Sequence, residues 1–117
     1  MAMDPIDNDY ELLTLLELND ITFYYKDGYW VKFEAWRVRP SKHVPHGIRY
    51  SLTLHDGNNT RIIGYDNAHH SLPKSKNYKA RKETWDHVHK KRKVHSYEFD
   101  SASQLIEDFW NTVYEYT

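Results

Sequence analysis

The segment ITFYYKDGYWVKF, residues 21–33, constrains the fold of this chain more than any other, because it sorts cleanly in a single hairpin register. Ile21, Thr22, Phe23, Tyr24 and Tyr25 all favour extended backbone. Lys26-Asp27-Gly28 then reads as a three-residue hairpin loop, with Gly28 at the left-handed position such loops require. That loop sets Tyr25 opposite Tyr29, Phe23 opposite Val31 and Ile21 opposite Phe33 on one face. Thr22 then meets Lys32, and Tyr24 meets Trp30, on the other face. A shift of one residue would send the whole apolar set to the wrong side, so the pattern fixes the register. WVKFEAWRV, residues 30–38, continues the second strand.

The flanking sequence extends this into a sheet. Residues 11–20 (ELLTLLELND) form a short leucine-rich run that periodicity alone does not assign. The β-favouring residues that follow at once weigh toward a strand. Two prolines and a glycine make residues 39–47 a loop. In residues 49–55, Tyr50, Leu52 and Leu54 point one way, and Arg49, Ser51, Thr53 and His55 the other. Asp56-Gly57-Asn58-Asn59 is a turn, after which residues 60–66 return as the next strand. A four-residue loop there would bring Arg49 opposite Asp66, close enough for an ion pair. Residues 67–84 carry no usable pattern and read as an exposed basic loop, and residues 83–88 and 95–99 as strand pieces around a basic cluster. Ser101-Ala102-Ser103-Gln104 matches a capping box, and Leu105, Ile106, Phe109, Trp110 and Val113 follow at helical spacing. The expected architecture is one α+β domain, an antiparallel sheet of about five strands with a C-terminal helix packed on one face. Residues 1–10 are set aside as a flexible stretch or a cloning remnant.

A length of 117 residues suits one domain with a single core. The chain has no cysteine, which excludes disulfides and thiolate metal sites and fits a reducing cytoplasm. No apolar run approaches the roughly 20 residues that cross a bilayer, and the acidic N-terminus is unlike a signal peptide. Charge is unevenly laid out. Residues 1–36 hold eight acids against two lysines, whereas residues 74–93 hold nine bases against two acids. Those bases, Lys74, Lys76, Lys79, Arg81, Lys82, Lys90, Lys91, Arg92 and Lys93, suggest a local patch for a polyanion, unless they serve only solubility.

Six of the eight histidines fall within residues 46–89: His46, His55, His69, His70, His87 and His89. His87 and His89 are two apart, so on a strand both leave the same face. Beside Asp86 they satisfy a transition-metal site, and equally the needs of acid–base catalysis near neutral pH. Short polar strands also carry such pairs with no role. Pro45 and Gly47 bracket His46 and set it in a turned, exposed position at a strand entrance. Arg49 offers a fork suited to phosphate or to a structural carboxylate. Asp66-Asn67 ends a strand, where both turn chemistry and functional groups are found. Tyr24, Tyr25, Tyr29, Trp30 and Trp36 read as sheet packing rather than base-stacking platforms. There is no glycine-rich phosphate loop, nucleophile elbow or HExxH signature, which argues against dinucleotide cofactors and serine-hydrolase chemistry.

In this order HGIRYSLTLHD, RIIGYDNAHH, WDHVHK and YEFDSASQLIEDFW resemble the TumE-like family of small prokaryotic toxins, over roughly residues 32–113. The lysine-rich insertion between His70 and Trp85, and the bases at 90–93, depart from that pattern. The resemblance implies a toxin neutralised by an antitoxin encoded beside it, and an RNA-degrading activity. On that footing the expected site is a metal-independent endoribonuclease, with no cofactor. His87, His89 and His69 would supply base and acid, Arg49 the cation at the phosphoryl group, and Asp66 and Asp86 the orienting carboxylates, with His46 at the rim. The lysines from 74 to 93 would hold the RNA backbone. Two alternatives stand beside it. One is a metal-dependent phosphodiesterase with His69, Asp86, His87 and His89 as ligands. The other is a binding module without chemistry that docks RNA or an acidic antitoxin. The acidic N-terminal segment against the basic loop of a second copy would give a homodimer.

Overall fold

A computed structural model describes residues 9–67, 86–90 and 93–117. Six strands form one antiparallel sheet in sequence order: β1 (Ile21–Tyr24), β2 (Trp30–Arg37), β3 (Ile48–His55), β4 (Arg61–Asp66), β5 (His87–Lys90) and β6 (Lys93–Ser96). The helices α1 (Tyr10–Glu17) and α2 (Ala102–Tyr116) flank it in sequence. The α+β class and the C-terminal helix agree with the sequence reading, and the sheet has six strands rather than about five. The first hairpin has the expected register, from Ile21 opposite Phe33 to Tyr24 opposite Trp30. Tyr25 N–H closes it on the Tyr29 carbonyl at 2.7 Å, with Gly28 at φ 82° and Asp27 at φ 58°.

Two elements differ from expectation. Residues 10–17 are helical, not extended, because Asp9 caps them: its carboxylate accepts from Glu11 N at 2.9 Å and Leu12 N at 3.2 Å. The spacing of Leu12 and Leu15 then turns both into the core. The β3–β4 register is the second. Asp56 Oδ1 accepts from Asn58 N and Thr60 N, and Asn59 takes a left-handed φ of 62°, so the loop closes between Asp56 and Thr60. A bulge at Leu54/His55 then adds one more residue to β4. Together they slide the pairing by two positions, and Ser51, not Arg49, stands opposite Asp66. On its other side β3 sets Arg49 opposite Trp36 of β2.

Burial alternates along β3 and most of β2, and the two faces of the sheet have different fates. Val31, Phe33, Ala35, Tyr50, Leu52, Leu54, Ile63, Tyr65 and Val88 are buried with Leu12 and Leu15 of α1 and Leu105, Phe109 and Val113 of α2. Both helices therefore cover one face. Ser101 caps α2 by accepting from Gln104 N at 3.1 Å. Gln104 does not complete the capping box in return; its amide donates to Asp108 Oδ1 at 2.8 Å. Tyr97 Oη donates to Asp108 Oδ2 at 2.6 Å, and Tyr65 Oη meets Thr112 Oγ1 at 2.7 Å, tying α2 to the sheet. Among the described residues no helix is long and apolar enough to cross a membrane.

Candidate functional site

The other face, turned away from the helices, carries Arg49, Ser51, Thr53 and His55 from β3, Gly64 and Asp66 from β4, and His87 and His89 from β5. Asp66 lies at its centre. His87 stands directly across the β4–β5 pair from it, with Nε2 2.8 Å from Oδ1. His89 is opposite Gly64 and reaches diagonally to Asp66, its Nε2 3.4 Å from Oδ2. A Cβ on Gly64 would stand 3.4 Å from Nη1 of Arg61, whose side chain lies over the glycine on this face. The two rings lie 4.7 Å apart at 78°. The His87 side chain is only 1 % exposed, against 12 % for His89, so His89 is the one nearer to an incoming molecule.

Asp86 and His46, expected beside these groups, belong elsewhere. Strand alternation turns Asp86 to the side opposite His87, where Tyr50 Oη donates to its Oδ2 at 2.6 Å and both residues are buried. Burial, reinforced by the Asp86 carboxylate, pushes the Tyr50 hydroxyl far above its ordinary pKa, so it remains the donor. His46 packs against Phe99 at 4.4 Å and accepts from Ile48 N through Nδ1 at 3.1 Å. It is half-buried rather than exposed at a rim, and burial lowers its pKa from 6.5 to about 4. At neutral pH it is uncharged and poorly matched to proton transfer. Asn67 is fully buried and structural: its side chain accepts from Tyr50 N at 2.9 Å and donates to the Ile48 carbonyl at 2.8 Å. The amide thus continues the β3–β4 ladder one step beyond the strand.

Arg49 is on the face of Asp66, two residues along β3 from Ser51, its partner. His55 is on that face too, but four residues further on, stacked on Trp30 at 3.9 Å and bonded to Thr53 Oγ1. Trp30 packs as its sequence suggested, while Tyr24 is 86 % exposed. Of the expected polyanion-binding bases, Lys90 and Lys93 face each other across the β5–β6 pair, on the side of Val88 rather than of His89. His69, Lys74, Lys76, Lys79, Arg81, Lys82, Lys91 and Arg92 lie outside the described residues. The sequence reading had no place for Gly64 or for the Tyr50–Asp86 bond. A lone glycine inside an alternating strand was a signal for the first; nothing local marked the second.

Asp66, His87 and His89 each offer one donor atom, and the three atoms lie within 4.8 Å of one another. A carboxylate held by two imidazoles can fix their tautomers for proton transfer, and the same donor set is within the repertoire of a transition metal. A family model described as Toxin TumE matches residues 10–117 of the chain. In comparisons with curated proteins and with solved structures, nothing matches.

Proposed function

The chain belongs to the TumE toxin family over residues 10–117, and from that membership we propose that it is the toxin of a toxin–antitoxin module and acts by cutting RNA. The observation that carries the reading is the Asp66 carboxylate between two imidazoles on the face that bears Arg49. RNA brings its own nucleophile, so the protein has to move protons and steady charge. With the proton of His89 on Nε2, the nitrogen 3.4 Å from Asp66, Nδ1 is left to accept the proton of the ribose 2′-hydroxyl. The 2′ oxygen then attacks the adjacent phosphorus and the bond to the 5′ oxygen breaks. The products are a 2′,3′-cyclic phosphate and a 5′-hydroxyl, the latter taking up a proton from an acid or from water. His69 stands with His87 and His89 in the group from which the sequence draws base and acid. Arg49 offsets the charge building on the phosphoryl oxygens. His87 is too buried to meet RNA and serves by holding Asp66 in place. An adjacent-gene antitoxin is the partner this role requires, and the basic residues outside the described segments would hold the RNA backbone in a salt-sensitive way.

The test is single-stranded RNA incubated with the purified chain, with and without EDTA, beside His89→Ala and Asp66→Asn. Cleavage to cyclic-phosphate ends that survives EDTA, and falls at least about 100-fold in both variants, is the expected result. Equal cleavage by His89→Ala would sink the assignment.

A further inference from the structure

The geometry points to a binding site for one divalent transition-metal ion of the zinc class, held by Asp66, His87 and His89. One donor atom from each lies within 4.8 Å of the others, with His87 Nε2 2.8 Å from Oδ1 of Asp66 and His89 Nε2 3.4 Å from Oδ2. Around tetrahedral zinc, with bonds to nitrogen and oxygen of about 2.0–2.1 Å, donor atoms stand about 3.3 Å apart. Each imidazole is therefore near its liganded distance from the carboxylate, one on each oxygen, and a turn of the carboxylate or of His89 brings both around one ion. His89, the more exposed of the two imidazoles, is the one with room to make that adjustment. The near-perpendicular rings approach the carboxylate from two sides, one on each oxygen.

Donor chemistry narrows the ion. Two imidazoles and one carboxylate suit zinc, nickel, copper(II) or iron(II), whereas magnesium and calcium favour oxygen alone. With no cysteine anywhere in the chain, no thiolate competes for the ion. The backbone supplies preorganisation: Asp66 and His87 are register partners on adjacent strands, so their separation is set by the sheet and not by a loop.

Occupancy has a regulatory consequence, and this half rests on the acid–base reading above. A ring nitrogen that donates its lone pair to an ion has lost its proton, and Asp66 no longer holds the tautomer of His89. The ion-loaded toxin is then the silent form.

The experiment is equilibrium dialysis of the full chain against zinc chloride with elemental analysis, alongside cobalt(II) absorption spectra. One ion per chain is expected, with affinity reduced at least tenfold in Asp66→Asn and His89→Gln and unchanged in His46→Asn. His89→Gln, at the more exposed position, keeps the test alive should buried variants fail to fold. Substoichiometric zinc, or zinc retained by both ligand variants, overturns the site. In the RNA assay, cleavage suppressed by zinc and restored by EDTA supports silencing. Cleavage that requires zinc overturns silencing and the acid–base reading while the site stands. Absence of any cleavage, with stoichiometric zinc, removes the ribonuclease reading alone.

Discussion

His46 provides a pH lever on stability that is separate from the candidate site. In the folded chain burial against Phe99 lowers its pKa from 6.5 to about 4, while the unfolded chain keeps the ordinary value. The unfolded state therefore binds the proton first as pH falls, and stability drains away between pH 6.5 and about 4. Above that window the imidazole is neutral in both states and costs nothing. The full difference corresponds to a ceiling of about 3 kcal/mol, and because His46 is only half-buried, solvent screening reduces this to about 1–2 kcal/mol. His46→Asn removes the titration while its amide oxygen can still accept from Ile48 N. Urea unfolding of both proteins at about pH 7.5 and about pH 4.5 isolates the effect, since all other titrating groups are shared. The wild type should be the more stable at the higher pH, with its lead over the variant shrinking by about 1–2 kcal/mol at the lower. Parallel pH profiles would refute the argument.

Three further outcomes follow from the architecture. Tyr50→Phe removes the 2.6 Å bond to buried Asp86 and should cost about 1.5–3 kcal/mol in thermal or urea unfolding, with RNA cleavage per folded molecule retained; a matching loss of specific activity would return Asp86 to the site. Leu15→Ala empties a fully buried position of α1 and should destabilise by about 2–5 kcal/mol, whereas a loss below about 0.5 kcal/mol would mean that α1 is not part of the core. Arg49→Ala should leave the unfolding midpoint nearly unchanged and reduce cleavage about 100- to 1000-fold; unfolding of that variant would assign Arg49 a structural role instead.

How far these features are legible without coordinates depends on how local their causes are. The first hairpin is fixed by its own loop and by alternation, both readable within thirteen residues, and the last helix by its cap and its spacing. The first helix is hidden because Leu12 and Leu15 suit either element, and a single Asp9 cap tips the balance toward helix. The β3–β4 register depends on a left-handed Asn59 and a bulge, and neither is written in the apolar pattern. For the site, the histidine pair on β5 and the carboxylate on β4 are each visible, but their meeting depends on which residues β4 and β5 set opposite each other across the eighteen residues 68–85. Adjacency in sequence groups Asp86 with His87, whereas alternation along the chain separates neighbours, setting Asp86 beside Tyr50 and His87 beside Asp66.

Placing Asp66 on β4 and both histidines on β5 also has a kinetic meaning. Strands β1 to β4 join neighbours through connections of at most about ten residues, and each pairing can zip from a nearby turn. Joining β5 to β4 closes the longest gap between neighbouring strands in the sheet, and loop-closure entropy rises with that length. A ribosome that has delivered only the first four strands has made most of the sheet and none of the His–Asp contacts. The chain can thus acquire much of its stability before it acquires the cluster. A local opening that parts β5 from β4 would likewise break the cluster without unfolding the chain, an event visible as faster amide hydrogen exchange in β5 and β6 than in β2 and β3.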